Sequence, residues 1–343
     1  SRPIHDYRIS ADLDFAKDHQ LSVSYSGNYK KKGQHIEMTG MQTSLLDNNI
    51  KDILHNAHLD YTLPIGLNLG SDFTYYEDNV IQDMKSALQG ERLNFITNSQ
   101  QRINRSKFIA REEHKLGKKA MIYYGLVYTH IIDHSRQDYE PTEETTADKL
   151  PASLSSRRTE NILNIYGGGT VNLSDKLSAE LSLAAEHSKT TLWDEWDLYP
   201  TLSATYMPSS GHMWQLSFST EKKYPEFWAM QNVASYYGSY YEHIVGNPAL
   251  KPSKEYSLSL VHVLHNKYMF RGWFRHTKDY FTQTMFQNRD QLVEIAKFDN
   301  FDFYQNAGIM ISSPWRPVWW FDTQTTVFGE WMRVKDSDYY DCP

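Results

Sequence analysis

Leu21-Ser22-Val23-Ser24-Tyr25-Ser26 alternates apolar and small polar side chains one for one. Successive side chains point to opposite faces in an extended chain, so a period of two marks a β-strand with one apolar and one wet face. The pattern recurs at Leu177, Ala179, Leu181 and Leu183 against Ser178, Glu180 and Ser182. It recurs again at Trp214, Leu216 and Phe218 against Gln215, Ser217 and Ser219. Working outward, strands are predicted near 7–15, 52–63, 67–77, 106–115, 120–133, 158–172, 197–207, 255–264, 268–286, 292–311 and 319–334, about 14 in all.

The connections fall into two alternating classes. Turn compositions lie near 17–19, 64–66, 117–119, 174–176, 209–211, 265–267 and 314–317. Between them the chain predicts long polar loops near 30–50, 78–105, 136–157 and 223–253, with shorter connections near 190–195 and 287–291. Short returns at one end and long ones at the other belong to an outer-membrane barrel, with the short turns periplasmic. The predicted strands reach about ten residues, where soluble strands run to about five or six. Tyr75, Tyr76, Tyr123, Tyr124, Trp319 and Trp320 sit near strand ends, where a membrane interface favours aromatic rings. The predicted fold class is therefore all-β: a transmembrane antiparallel up-and-down β-barrel occupying residues 1–343, with no soluble domain. A soluble sandwich or propeller also has several strands with turn signals, but has no reason to sort its loops.

Composition agrees. Hydrophobic residues are 40% and mean hydropathy is -0.63, yet aromatics reach 14%, with 24 Tyr and 9 Trp. No run approaches the roughly 20 apolar residues of a spanning helix, whereas a barrel strand needs only every second residue apolar. The single cysteine, Cys342, excludes a disulfide framework. A net charge of -7 with interspersed signs argues against a nucleic-acid partner. The start, Ser-Arg-Pro-Ile-His, carries no signal-peptide pattern, so either a leader has been removed or the chain is internal to a longer one.

Two motifs carry a resemblance. Tyr199-Pro200-Thr201-Leu202-Ser203-Ala204-Thr205-Tyr206 is followed by a short turn and a second strand, and a loop then ends in Gly246-Asn247-Pro248-Ala249-Leu250-Lys251-Pro252. Together they resemble the barrel of TonB-dependent receptors, in the outer membrane protein β-barrel branch. Two prolines and a glycine stop a loop and fix its direction as it enters a strand. The loop departs from the family's arginine pattern, offering Glu221-Lys222-Lys223-Tyr224-Pro225. Family members have about 22 strands and an N-terminal plug with a TonB-binding segment, so the resemblance implies a partial barrel with strands missing at both ends and no plug.

The chain contains no His-Glu-x-x-His, Gly-x-Ser-x-Gly, Gly-x-x-x-x-Gly-Lys or dinucleotide fingerprint, and is read as a non-enzyme without cofactor or metal. Gly167-Gly168-Gly169 fits close packing within a strand better than a phosphate cradle. Lone strand histidines such as His58 and His262 fit lumen or interface positions, and Asp336, Asp338 and Asp341 a solvated acidic loop. Trp193 and Trp196, beside Asp194, Glu195 and Asp197, fit either an interfacial girdle or contact with a ligand of apolar faces and polar edges. Tyr236, Tyr237, Tyr240 and Tyr241, deep in a long loop, are predicted ligand contacts, so that Tyr236→Ala with Tyr240→Ala should weaken uptake without harming assembly.

The resemblance implies an importer of a Gram-negative outer membrane. Its partners would be outer-membrane lipid, the TonB complex through the missing plug region, a small ligand (siderophore, haem, peptide or oligosaccharide) and a surface lipoprotein lid. A passive channel of 14 strands and a soluble β-rich binding or adhesion module are the competing expectations.

Overall fold

The computed structural model describes residues 4–16, 19–40, 42–88, 91–142, 145, 150, 152–231, 234–237, 239–287 and 294–337. Ten strands follow one another: β1 (Ile4–Ala16), β2 (His19–Met38), β3 (Gln42–Thr62), β4 (Asn68–Leu88), β5 (Glu91–Leu116), β6 (Ala120–Pro141), β7 (Leu154–Ser174), β8 (Leu177–Lys189), β9 (Asp194–Ser209) and β10 (His212–Lys223). A long excursion then holds a 3-10 turn (Phe227–Met230), β11 (Ala234–Tyr237) and β12 (Ser239–Val245). Four strands complete the wall: β13 (Ser253–Leu264), β14 (Tyr268–Gln287), β15 (Glu294–Val318) and β16 (Phe321–Lys335). Each wall strand pairs antiparallel with its neighbours in chain order, β10 with β13 across the excursion. These fourteen wall strands correspond one to one with those expected from period-two patterning.

The alternation sorts the two faces. One carries Leu181, Leu183, Leu198, Leu202, Leu216, Leu258, Leu260, Phe270, Phe274, Ile309 and Ile311, all exposed, as a lipid-facing surface requires. The other carries polar pairs such as His58 with Asp72 and Gln101 donating to Asp133. Aromatic rings border the apolar band at two levels. At the lower level Phe15, His19 and Tyr61 stack on one another, and Trp214 stacks on His262 at 3.7 Å. At the upper level lie Tyr7, Tyr25, His55 and Tyr75, and further round the wall His187 and Trp196. On β9 ten residues separate Trp196 from Tyr206, about 33 Å of strand, and a tilt near 40° turns that into about 25 Å of height, the thickness of an outer-membrane apolar band. No described helix is long and apolar enough to cross a membrane.

The lower ends return through tight turns with positive φ at Gly66, Gly117 and Gly211. His265 and Asn266 between β13 and β14 both adopt positive φ, as a two-residue type I′ hairpin demands. By their length these turns mark the periplasmic end.

The upper ends differ from expectation. Residues 30–50 and 78–105, predicted as loops, are mostly strand, since β2 to β6 continue above the upper aromatic level as a tall paired wall. Side chains such as Asn48, Asn49, Gln82, Ser99, Gln100 and Gln101 are polar on both faces because both faces lie outside lipid, which removes the apolar signal without removing the ladder. The expected turn residues 17–18, part of the loop near 287–291, and Asp338, Asp341 and Cys342 lie outside the described residues. Among the described residues β1 and β16 each pair on one edge only, so the sheet is an open strip.

Candidate functional site

Residues 224–252 rise from β10, cross the polar face of the strip and return to β13. Three attachments hold them there. At the base, Tyr224 donates its hydroxyl to Glu186 at 2.6 Å. The ring of Phe227 lies 5.1 Å from the Arg158 guanidinium, and an Arg158 amino group donates to the Met230 sulfur at 2.8 Å. Arg158 itself is bracketed by Glu160 at 2.9 Å and Asp133 at 3.7 Å. Burial raises the Asp133 and Glu160 carboxyls above the usual range, and burial with the bond to Glu186 raises the Tyr224 phenol. Beside this cluster the buried Lys222 ammonium meets Asp197 at 3.0 Å and Glu186 at 3.6 Å.

At the far side, β11 abuts the tall wall of β3 to β6. Tyr236 is 4% exposed and packs in a cluster with Leu46, Met84 and Phe95, its ring 5.1 Å from that of Phe95 in an edge-to-face arrangement. The Gln137 amide grips the Ala234 backbone twice, donating to its carbonyl at 2.6 Å and accepting from its N–H at 2.8 Å. Gln82 donates to the Tyr236 carbonyl at 3.3 Å.

The return arm is tied to the opposite half of the strip. β12 pairs in parallel with the top of β15, Glu242–Val245 against Glu294–Lys297. This segment of β15 stands above the end of β16, whose pairing stops at Phe303 with Lys335, so β12 covers an otherwise bare edge. The motif follows. Asn247 donates to the Phe298 carbonyl at 3.0 Å and to Asp299 at 3.2 Å, while its side-chain oxygen accepts from the Ala249 N–H. Leu250 is fully buried with Ala229 and Met230 against Phe281 and Phe298. Asn300 accepts from the Lys251 N–H and donates to the carbonyls of Lys251 and Asp279, the latter a positive-φ residue of β14. Gly246 admits no side chain, since a Cβ there would sit 2.0 Å from the Gln231 carbonyl oxygen. The residues Gly246, Asn247, Pro248, Leu250, Lys251 and Pro252 thus form a latch where the loop meets the wall.

The whole excursion is a crossbar: a two-stranded ribbon that continues the hydrogen-bonded sheet from β15 into the lumen and rests its aromatic end on β3, β4 and β5.

Several site expectations change. Tyr236 does not present its ring to a ligand, because the upper wall buries it. The backbones of Tyr237, Tyr240 and Tyr241 lie in β11 and β12, and their side chains are outside the described residues. Trp196 is 59% exposed on the apolar face and stacks on His187 at 4.9 Å, a girdle position. Trp193 is half-buried in the β8–β9 turn with its indole N–H enclosed and unpartnered among the described residues. Gly168 carries the ring of Tyr123, whose atoms lie 2.7 Å from where a Cβ would be, so the triple glycine serves packing. Leu46, Met84, Phe95, Gln137, Arg158 and Asn300, which hold the crossbar, escaped the sequence reading. The only trace was a sparse apolar set, Leu46, Met84 and Phe95, recurring in otherwise polar stretches.

Residues 66–341 match the outer membrane protein beta-barrel family. The chain belongs to that family. The membership and the lipid-facing surface place it in the outer membrane of a Gram-negative bacterium. No curated protein matches the sequence. Among solved structures, the copper transporter OprC aligns at TM-score 0.61 with 9% identity over 97% of this chain and 54% of that one. The ferripyoverdine receptor of the outer membrane of Pseudomonas aeruginosa aligns at 0.54 with 11% identity, covering 97% and 50%. The hemophore receptor HasR of Serratia marcescens, in complex with its hemophore HasA and heme, aligns at 0.58 with 11% identity, covering 91% and 52%. At these identities the likeness is one of fold, and this family member spans about half the length of each structure.

Proposed function

We propose that the intact protein is an active importer that captures a scarce nutrient at the cell surface and admits it with inner-membrane energy relayed through TonB. The wall performs no covalent chemistry. The observation that carries this reading is the crossbar: the mouth is spanned by a ribbon fastened to opposite walls, an obstructed entrance suited to capture and not to free diffusion. The cargoes named for the aligned structures, copper, ferripyoverdine and heme, together with peptides and oligosaccharides, set the range of ligands. Residues 1–343 are proposed as one barrel domain, with a plug, a TonB-binding segment and further strands supplied by the rest of the protein. A surface lipoprotein lid completes the proposed partners.

A passive channel of 14 strands is less well supported. An unpaired strand edge costs several kcal/mol per unsatisfied backbone group in lipid, and β1 and β16 each have one.

The deciding measurement is accumulation of radioiron-loaded siderophores, haem and labelled peptides by cells carrying the full-length gene, with and without functional TonB. Uptake of one cargo only in the TonB-containing host is expected. Equal uptake in both hosts would favour the passive channel.

A further inference from the structure

The upper end of β7 has a neighbour on one side only. β7 pairs with β6 without a break in register from Val171 opposite Ala120 up to Leu154 opposite Gln137. On its other side β8 stops at Lys189, opposite Asn161. Residues 154–160 therefore present an open ladder edge about 23 Å long, and among the described residues no strand pairs with it. Glu160 stands three residues above Leu163, which lies opposite His187 of the upper aromatic level, so the edge is in water above the lipid.

Open edges are normally blunted by proline, lysine, a bulge or an unmatched inward charge. The stretch Leu154-Ser155-Ser156-Arg157-Arg158-Thr159-Glu160 has none of the first three. Its inward charges, Arg158 and Glu160, neutralise each other at 2.9 Å. The comparable edge at the top of β15 is covered by the molecule itself, which lays β12 along Glu294–Lys297. An edge above the lipid thus takes up a strand where one is within reach. On the outer face of 154–160, Arg157 is exposed and stands opposite His134 of β6. No carboxylate among the described residues pairs with Arg157, so the edge offers an uncompensated positive charge.

We propose that residues 154–160 take up an extended acidic segment of a partner polypeptide as an added antiparallel strand, in line with β8. The outward N–H and C=O groups of the edge supply the ladder. Carboxylates on alternate residues of the added strand meet Arg157 on the outer face, where opposite charges across a ladder attract. The strand joins the plane of the wall and not the lumen, so the site is independent of transported cargo.

The test adds the dye-labelled peptide Thr-Glu-Val-Glu-Val-Glu-Thr, or its counterpart with lysine for glutamate, to the full-length protein in detergent micelles. Affinity is read by fluorescence anisotropy and location by hydrogen exchange. Every second amide of 154–160 should exchange freely in the protein alone and about tenfold more slowly with the acidic peptide. N-methylation of one set of alternate peptide amides should abolish binding while methylation of the other set spares it, the signature of a ladder. Arg157→Glu should weaken the acidic peptide about tenfold and favour the lysine one. Folding is checked by heat-modifiable migration in gels. Should that variant misfold, Arg157→Gln should weaken the acidic peptide about threefold. Protection of the edge without peptide, exchange unchanged by it, equal binding of the two methylated peptides, or equal binding of the acidic and lysine peptides would each overturn the proposal.

Discussion

Gly246 and Asn247 show how little of a motif's role lies in its own side chains. Gly246 is needed because another stretch of backbone passes where its Cβ would be, and a backbone carbonyl cannot yield as a side chain can. Gly246→Ala should therefore dislodge the crossbar while the barrel still assembles, and limited proteolysis of intact cells should then cut within 231–245 where the parent resists. Tyr236→Ala removes a buried aromatic from the far anchor, a loss of about 3 kcal/mol of attachment. Its loop should become protease-sensitive to a similar degree, whatever cargo is present. Asp78 offers a pH handle in the upper wall. Burial, a hydrogen bond shared with Asp52 and repulsion from that carboxylate raise it to about 7. The unfolded group titrates near 3.9, so between about pH 4 and 7 the native wall holds a proton that the unfolded chain has released, and stability falls as pH rises through that window. Asp78→Asn should raise thermal stability at pH 8 and leave it nearly unchanged at pH 4; an equal effect at both would exclude this titration as the cause.

At the scale of elements, the crossbar depends on pairs that no local pattern announces. Gln137 and Ala234 are 97 residues apart, and Gln82 and Tyr236 are 154 apart. Gln137→Ala strands two backbone groups of Ala234 and should cost about 1–3 kcal/mol, seen as faster hydrogen exchange in β11 with the wall strands unaffected. The wall was legible because lipid imposes a period of two on every strand that touches it; Leu21-Ser-Val-Ser-Tyr-Ser declares its faces without help from its neighbours. The upper halves of β2 to β6 were not, since above the membrane neither face need be apolar and the hydrogen-bonded ladder leaves no mark on composition. Tyr236 misled for a related reason: a tyrosine far from any strand pattern reads as a surface group until the Leu46, Met84 and Phe95 that cover it are brought together by the sheet.

For the molecule as a whole, the sorted faces make a strong prediction. Leu202→Arg puts a charge at the middle of the apolar band and should cost about 2–4 kcal/mol, abolishing the heat-modifiable folded form in membranes. Ser203→Arg, one residue along and on the opposite face, should assemble. The alternative of a soluble adhesion module requires the parent to stay monodisperse in water without detergent, which an apolar belt forbids.

The parallel seam between β12 and β15 also orders events in time. Residues 242–245 precede their partner at 294–297 in the chain, with β13 and β14 between them, so the seam forms only when β15 is laid into the wall. Until β15 stands in the wall the ribbon has no edge to join, so the interior is bridged only once that strand is in place. The strand that gives the ribbon its edge is thus the one that closes the door on what has been placed inside.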